Sequence, residues 1–379
     1  MTSDTDLHGL ELRSTISGDG TLTLSLAKVD VGEPAPDEVV VRVEATPINP
    51  SDLGLLLGPA DLSTLRASGT AERPVLTATV PTAALGGGLR ARVGQAMPVG
   101  NEGAGTVVRA GSAASALLGR KVGMLGGAMY TEVRRLKARD CIALPEGASA
   151  ADGASMFVNP LTALAMVETM RAERHSAIVH TAAASNLGRM LARVCHADGV
   201  PLVGVVRSEE QAAALRGEGV DWVVNSAAPD FRAALTEAVA ATGATLAFDA
   251  IGGGDLANTI LHAMEDAASR DARAYSRYGS SVLKQVYIYG GLDTGPTRVD
   301  RGYGMSWAVG GFLLTPFLQR AGAETLQRLK ERVARELRTT FASHYTDTIS
   351  LRDVLDPAMV ELYARKATGR KYLIDPSRP

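Results

Sequence analysis

Cysteine is nearly missing from this chain: Cys141 and Cys195 are the only two in 379 residues. No disulfide framework can be drawn from them, and two free thiols are expected. Charge of one sign is missing too. Lys and Arg total 39 against 41 Asp and Glu, with no lysine-rich block, so no positive field exists for nucleic acid and that partner class is excluded. No apolar run reaches bilayer length, and the start, MTSDTDLHGL, lacks the basic and apolar regions of a secretory leader. A cytoplasmic protein with no membrane partner is expected. The six histidines, at 8, 175, 180, 196, 262 and 344, show no metal-ligand spacing, so no metal is expected. The apolar content, 46%, is ample for the cores of two domains.

The most informative stretch is residues 176–209, SAIVHTAAASNLGRMLARVCHADGVPLVGVVRSE. A short apolar run around Ile178 and Val179 reads as a buried strand. Leu187, Met190, Leu191, Val194 and Cys195 then recur at helical spacing, which puts Cys195 on a buried helix face. The period changes across the small residues 182–186. Such a turn lets backbone approach a diphosphate, and the helix N-terminus directs N–H groups and partial positive charge at it. Only Gly188 of a glycine-rich fingerprint is present, in the slot for close helix–strand packing. Alone, the segment also fits an ordinary α/β turn without a ligand. Further strand-like runs at 220–225, 245–250 and 285–289, separated by helical patterns, favour a parallel, doubly wound sheet. Arg207, with Ser208 beside it, follows the second strand where an NAD-binding acidic residue would stand, and suits a 2′-phosphate. The competing reading is a solvated arginine beside a helix-capping serine.

The first third differs in texture. Runs at 39–43, 105–108, 121–124 and 141–144, punctuated by Gly and Pro, predict a compact β-rich domain. Residues 59–98 read as a long insertion loop or lid with one strand, 75–80. A glycine- and aromatic-rich segment, 302–317, precedes a charged helix at 324–337 and an extended ending at 371–374, which is expected to return to the first domain.

INPSD at 48–52, GNEGAGTVV at 100–108, VNPLTA at 158–163, FDAIGGG at 248–254, YIYGGL at 287–292 and GRKYLI at 369–374, in this order, resemble the medium-chain dehydrogenase/reductase superfamily, and within it the zinc-free quinone oxidoreductase branch near the 2-enoyl thioester reductases. The resemblance implies an α/β chain: a GroES-like β-rich catalytic domain (1–155) plus a doubly wound Rossmann dinucleotide-binding domain (156–312), with 313–379 returning to the first. It implies NADPH, held by Asn159, Ser185, Asn186, Leu187, Gly188, Arg207, Ser208, Tyr289, Gly290, Gly291, Leu292 and Lys371, with Asn49 and Asp52 in the catalytic cleft. Turn formation around proline is an equal reading of Asn49, Asp52 and Asn159. Zinc enzymes of the superfamily carry Gly-His-Glu where this chain has Gly100-Asn101-Glu102, and an amide is a poor zinc ligand.

Without that Lewis acid, the implied reaction is hydride transfer to a quinone or small α,β-unsaturated carbonyl. The 2-enoyl thioester reductases place a tyrosine shortly after the INPSD motif, where this chain has Pro59 and Ala60. Tyr130, Tyr278 and Tyr303 read as packing aromatics before they read as replacement acids. Alternatives are a 2-enoyl thioester reductase or a silent NADPH-binding redox sensor. The aromatic segment fits an acceptor pocket or a dimer interface. QVYIYGG (285–291), read as the sheet edge, predicts a homodimer; the alternative is a monomer whose edge is covered by 302–317.

Overall fold

A computed structural model describes residues 7–270, 272–365 and 369–379; residues 1–6, part of the stretch read for a leader, lie outside them. The chain divides into two compact units, 1–158 with 330–379, and 159–329. Its course begins β1 (His8–Ile16), β2 (Thr21–Asp30), β3 (Glu38–Pro47), α1 (Pro50–Leu56), β4 (Asp61–Gly69), β5 (Pro74–Thr79), β6 (Met97–Pro98), β7 (Glu102–Ala110), β8 (Lys121–Leu125), β9 (Val133–Lys137), β10 (Cys141–Ala143) and α2 (Ala150–Gly153). The middle runs α3 (Val158–Ala172), β11 (Ile178–Thr181), α4 (Asn186–Asp198), β12 (Leu202–Val206), α5 (Glu209–Gly217), β13 (Trp222–Asn225), α6 (Phe231–Thr242), β14 (Leu246–Asp249), β15 (Gly252–Gly254) and α7 (Leu256–Ser269). It closes with β16 (Lys284–Ile288), β17 (Asp293–Thr297), β18 (Trp307–Gly311), α8 (Leu314–Arg335), β19 (Asp347–Ile349), α9 (Pro357–Ala364) and β20 (Tyr372–Ile374).

In the first unit one sheet runs β4-β5-β2-β1-β6 and a second β10-β8-β7-β3-β20-β19, with β9 also on β3. Alternating burial along β2 places Leu22, Leu24 and Leu26 in a core with Leu12, Ile16, Leu56 and Leu76. Late in the chain, β20 pairs antiparallel with β3, Leu373 opposite Pro47. Residues 59–98 are not the loop the sequence suggested. β4 and β5 form an antiparallel pair, and β5 continues onto β2. β4 is an edge strand whose side chains are mostly exposed, so it lacks the apolar alternation that would have announced it.

The second unit has the doubly wound sheet, all parallel, in the order β13-β12-β11-β14-β16-β18. The chain leaves β11 toward β12 on one side while β14 lies on the other, which puts a topological switch point between β11 and β14. One expectation fails here: β16, the QVYIY strand, is not the edge. Trp307–Gly311 pairs with it in parallel as β18, a glycine-rich strand that read as loop. Tyr303 is fully buried in an edge-to-face contact with Trp307, and Phe312 packs against Phe248. These rings of the aromatic segment therefore build the unit's own core. Leu314–Arg335 is interrupted at Gly322, whose φ of +81° is not helical, so the charged helix starts just after that glycine, close to the expected 324.

Candidate functional site

In the first unit the INPSD and GNEG motifs are laced together by two buried carboxylates. Pro50 occupies the first turn of α1 with Asn49 as its cap. Asp52 accepts from the backbone N–H of Asn49 at 2.8 Å and from that of Asn101 at 2.9 Å. Glu102, 1% exposed, accepts the Asn49 amide N–H at 2.8 Å on Oε1, and on Oε2 the backbone N–H groups of Phe157 and Val158, each at 2.9 Å. Gly100, at φ +96°, permits this closeness: a Cβ there would stand 2.5 Å from the Tyr130 ring. Beside the carboxylates, Lys371 Nζ donates to Ser155 Oγ at 2.6 Å, and the Tyr345 hydroxyl donates to the same oxygen at 2.9 Å.

Burial governs the electrostatics. It pushes the Asp52 carboxyl up to about 7, the Glu102 charge adding to the rise while the Asn49 and Asn101 N–H groups oppose it. Glu102 is raised by burial, against the pull of Lys371, and burial lowers Lys371 to about 8 against the attraction of Glu102 and Asp52. Because the Asp52 carboxyl of the folded chain ionises near 7 rather than 3.8, the folded state holds a proton that the unfolded chain has released. Its contribution to stability is therefore highest below about pH 4 and declines on the order of 4 kcal/mol by pH 7. Urea titrations across that range should show this slope in the natural chain and a flatter one in Asp52→Asn; equal slopes would refute the assignment.

Asn49 and Asp52 stand together at the start of α1, where they perform the turn-forming role. Tyr130 is fully buried with its hydroxyl on the Pro47 carbonyl at 3.2 Å. Glu102, Ser155 and Tyr345 were not singled out. Glu102 lay in plain view within GNEG, but the other two lie 190 positions apart and no local pattern joins them. Among the described residues no group of three His, Cys, Asp or Glu side chains is placed to hold a metal, and no helix is long and apolar enough to cross a membrane.

In the second unit Ser185 caps α4, its hydroxyl accepting from Gly188 N–H at 3.1 Å. A Cβ on Gly188 would lie 2.3 Å from the Ala183 carbonyl oxygen, so only glycine lets the helix start this close to the strand. Ala182 adopts φ +50° in the same turn, a strained setting for alanine. Asn186 is partly exposed at the helix start, whereas Leu187 turns its side chain into the core and leaves backbone alone for a ligand. Arg207 is exposed just beyond β12, with no ion-pair partner among the described residues, and Ser208 caps α5. A dinucleotide fits these residues: a glycine cradle, a helix N-terminus and an uncommitted guanidinium.

Asp249, unremarked in the sequence, fastens the carboxyl end of the sheet. It accepts from the Thr181 hydroxyl at 2.7 Å and from the N–H groups of Ile251 and Gly252 at 3.0 Å. Tyr289 follows β16 and meets His180 Nε2 at 2.8 Å, the two rings stacked. His180 is fully buried. Gly290 is half-buried against Ala250, Gly291 and Leu292 are exposed, and Asn159 is partly exposed in the first turn of α3.

No protein-family model matches the chain. A highly reducing polyketide synthase of Leptosphaeria maculans is 26% identical over 258 residues, which are 66% of this chain and 9% of that protein's length. Among solved structures, a Mesorhizobium loti protein assigned as an NADPH:quinone reductase matches with a TM-score of 0.72 at 25% identity, covering 98% of this chain and 99% of that one. A mutant form of enoyl thioester reductase from Candida tropicalis matches with a TM-score of 0.66 at 19% identity, over 97% and 99%. The fold and the ordered motifs agree with these likenesses: the chain has the fold of the solved NADPH:quinone and enoyl thioester reductases.

Proposed function

We propose that this chain is an NADPH-dependent, zinc-independent oxidoreductase of the cytoplasm that reduces a quinone or a small α,β-unsaturated carbonyl. The observation that carries the reading is the turn from β11 into α4, where Gly188 lets the helix start hard against Ala183, with its N-terminus at the carboxyl end of the sheet, while Arg207 stands exposed at the end of β12. The likeness to the Mesorhizobium loti protein supports it. When bound, NADPH supplies the hydride. The chain's own residues bind the diphosphate at Ser185–Gly188, the adenosine phosphate at Arg207 and Ser208, and the nicotinamide side along 289–292. Asn49, Asp52 and Lys371 cluster in the first unit, where the substrate-side groups are proposed to stand.

Zinc independence is supported by Asn101, whose amide nitrogen donates to the Ser51 hydroxyl at 3.1 Å where a zinc enzyme would offer imidazole. Enoyl thioester reduction is the second reading, favoured by the Candida neighbour and the polyketide synthase match and disfavoured by the lack of a tyrosine after α1. A homodimer through the nucleotide unit is part of the proposal, with β18 rather than β16 as its edge. NADPH consumption against a panel of quinones, enones and enoyl thioesters tests the function; no turnover with any of them would leave the silent sensor.

Arg207→Ala should weaken NADPH roughly tenfold to a hundredfold, the worth of a charge-assisted phosphate contact, and leave NADH nearly unchanged. Fluorescence titration of both cofactors checks this, and an equal loss for the two would remove Arg207 from the phosphate.

A further inference from the structure

His180 is fully buried in β11, and among the described residues its Nδ1 has no hydrogen-bond partner. Burial drives its pKa down to about 3, so the ring is neutral and carries one proton. A proton on Nδ1 would be a buried donor without an acceptor, which costs the full desolvation of an N–H group. On Nε2 it is satisfied at once, because Tyr289 Oη lies 2.8 Å away, and the orphan becomes a bare lone pair, the cheaper defect. The imidazole is therefore the donor and the phenol oxygen the acceptor. Tyr289 keeps its own hydroxyl hydrogen, and no second partner takes it among the described residues.

The position of that hydrogen gives it a use. His180, Phe248 and Tyr287 stand in register across β11, β14 and β16. Tyr289, two residues further along the same face, reaches back past β14 to His180 at the carboxyl end of the sheet. Ligands of doubly wound sheets bind outside the carboxyl ends, at the switch point, which here lies between β11 and β14. Stacking on the imidazole at 5.7 Å with 17° between the planes holds the phenol in place.

We propose that Tyr289, held by the His180 imidazole, donates a hydrogen bond to the acceptor oxygen that becomes negative during reduction. The proposal rests on the reductase reading. As hydride adds to the conjugated carbon, the displaced electron pair moves to the carbonyl oxygen. The phenol stabilises that oxyanion without giving up its proton, and solvent later protonates the product. A strongly raised phenol pKa, caused first by burial and then by the Asp249 charge, suits a donor that must stay protonated. Tyr289 is thus a catalytic residue and His180 a positioning residue.

Tyr289→Phe should lower kcat for an enone, measured at saturating NADPH, roughly tenfold to a hundredfold. His180→Met should lower kcat as well, and His180→Gln, whose amide can donate to the same oxygen, should recover part of it. An unchanged kcat in Tyr289→Phe, or a loss wholly explained by NADPH binding, overturns the proposal. Two readouts do not need turnover. Nitrogen-15 NMR of labelled histidine should find the His180 proton on Nε2, and a proton on Nδ1 refutes the arrangement. The anion of 2-hydroxy-1,4-naphthoquinone should bind the NADP-loaded natural chain more tightly than Tyr289→Phe, and equal binding refutes the oxyanion contact. Should the natural chain turn over no acceptor, the reductase reading fails while these two measurements still judge the pair.

Discussion

Gly188→Val is expected to abolish measurable NADPH binding and to destabilise the chain by about 3 kcal/mol or more. The cause is contact with backbone that cannot move aside. A Cβ at this position would meet the oxygen, the carbonyl carbon and the Cα of Ala183 at 2.3, 2.6 and 2.7 Å. Valine would have to push the start of α4 away from β11, deforming the turn proposed to hold the diphosphate. Gly217, in the last turn of α5, makes the comparison: a Cβ there would meet nothing within 4 Å, so Gly217→Ala should be neutral or stabilising by about 0.5–1 kcal/mol. Thermal melts and NADPH titration of both variants give the answer. A Gly188→Val protein with natural melting temperature and affinity would show that the turn tolerates a side chain and is not a cradle.

The second large effect belongs to Glu102. Glu102→Leu removes one side chain and strands three donors, the Asn49 amide and the N–H groups of Phe157 and Val158. It also takes away the charge that favours the Lys371 ammonium. Each stranded buried donor costs about 1–3 kcal/mol, so a loss of at least 3 kcal/mol is expected in urea unfolding. Glu102→Gln should lose far less, about 1 kcal/mol. Its oxygen can still accept from Phe157 and Val158, and Asn49 can turn its amide over to receive the new N–H. Equal losses in the two variants would mean that volume, not hydrogen bonding, sets the requirement.

Much of the second unit was legible because its signals are local. The strand period gives way to a helical one across five small residues, and Gly188 stands where the two must touch. Similarly, β12, β13, β14 and β16 lie close to the apolar runs that announced them. The failures share a cause. β4 and β18 are edge strands, one mostly exposed and the other rich in glycine, and each is a strand because a neighbour pairs with it rather than because of its own pattern. The candidate site divides the same way. INPSD and GNEG were visible as motifs, but the lacing of Asp52 to Asn101 and of Glu102 to Phe157 joins residues about fifty positions apart, and the His180–Tyr289 pair spans 109. Periodicity carries no information over such separations.

The pairing of β20 with β3 also sets an order of assembly. Residues 46 and 47 leave the ribosome early, yet their partners, 374 and 373, emerge only after the whole of 159–329 has been made. The nucleotide unit has every strand of its parallel sheet in hand by then and can fold first. Meanwhile β3 keeps part of one flank unpaired, an opening for wrong partners that stays available until β20 has been made. Stalling or truncation shortly before residue 372 should therefore harm the first unit far more than the second.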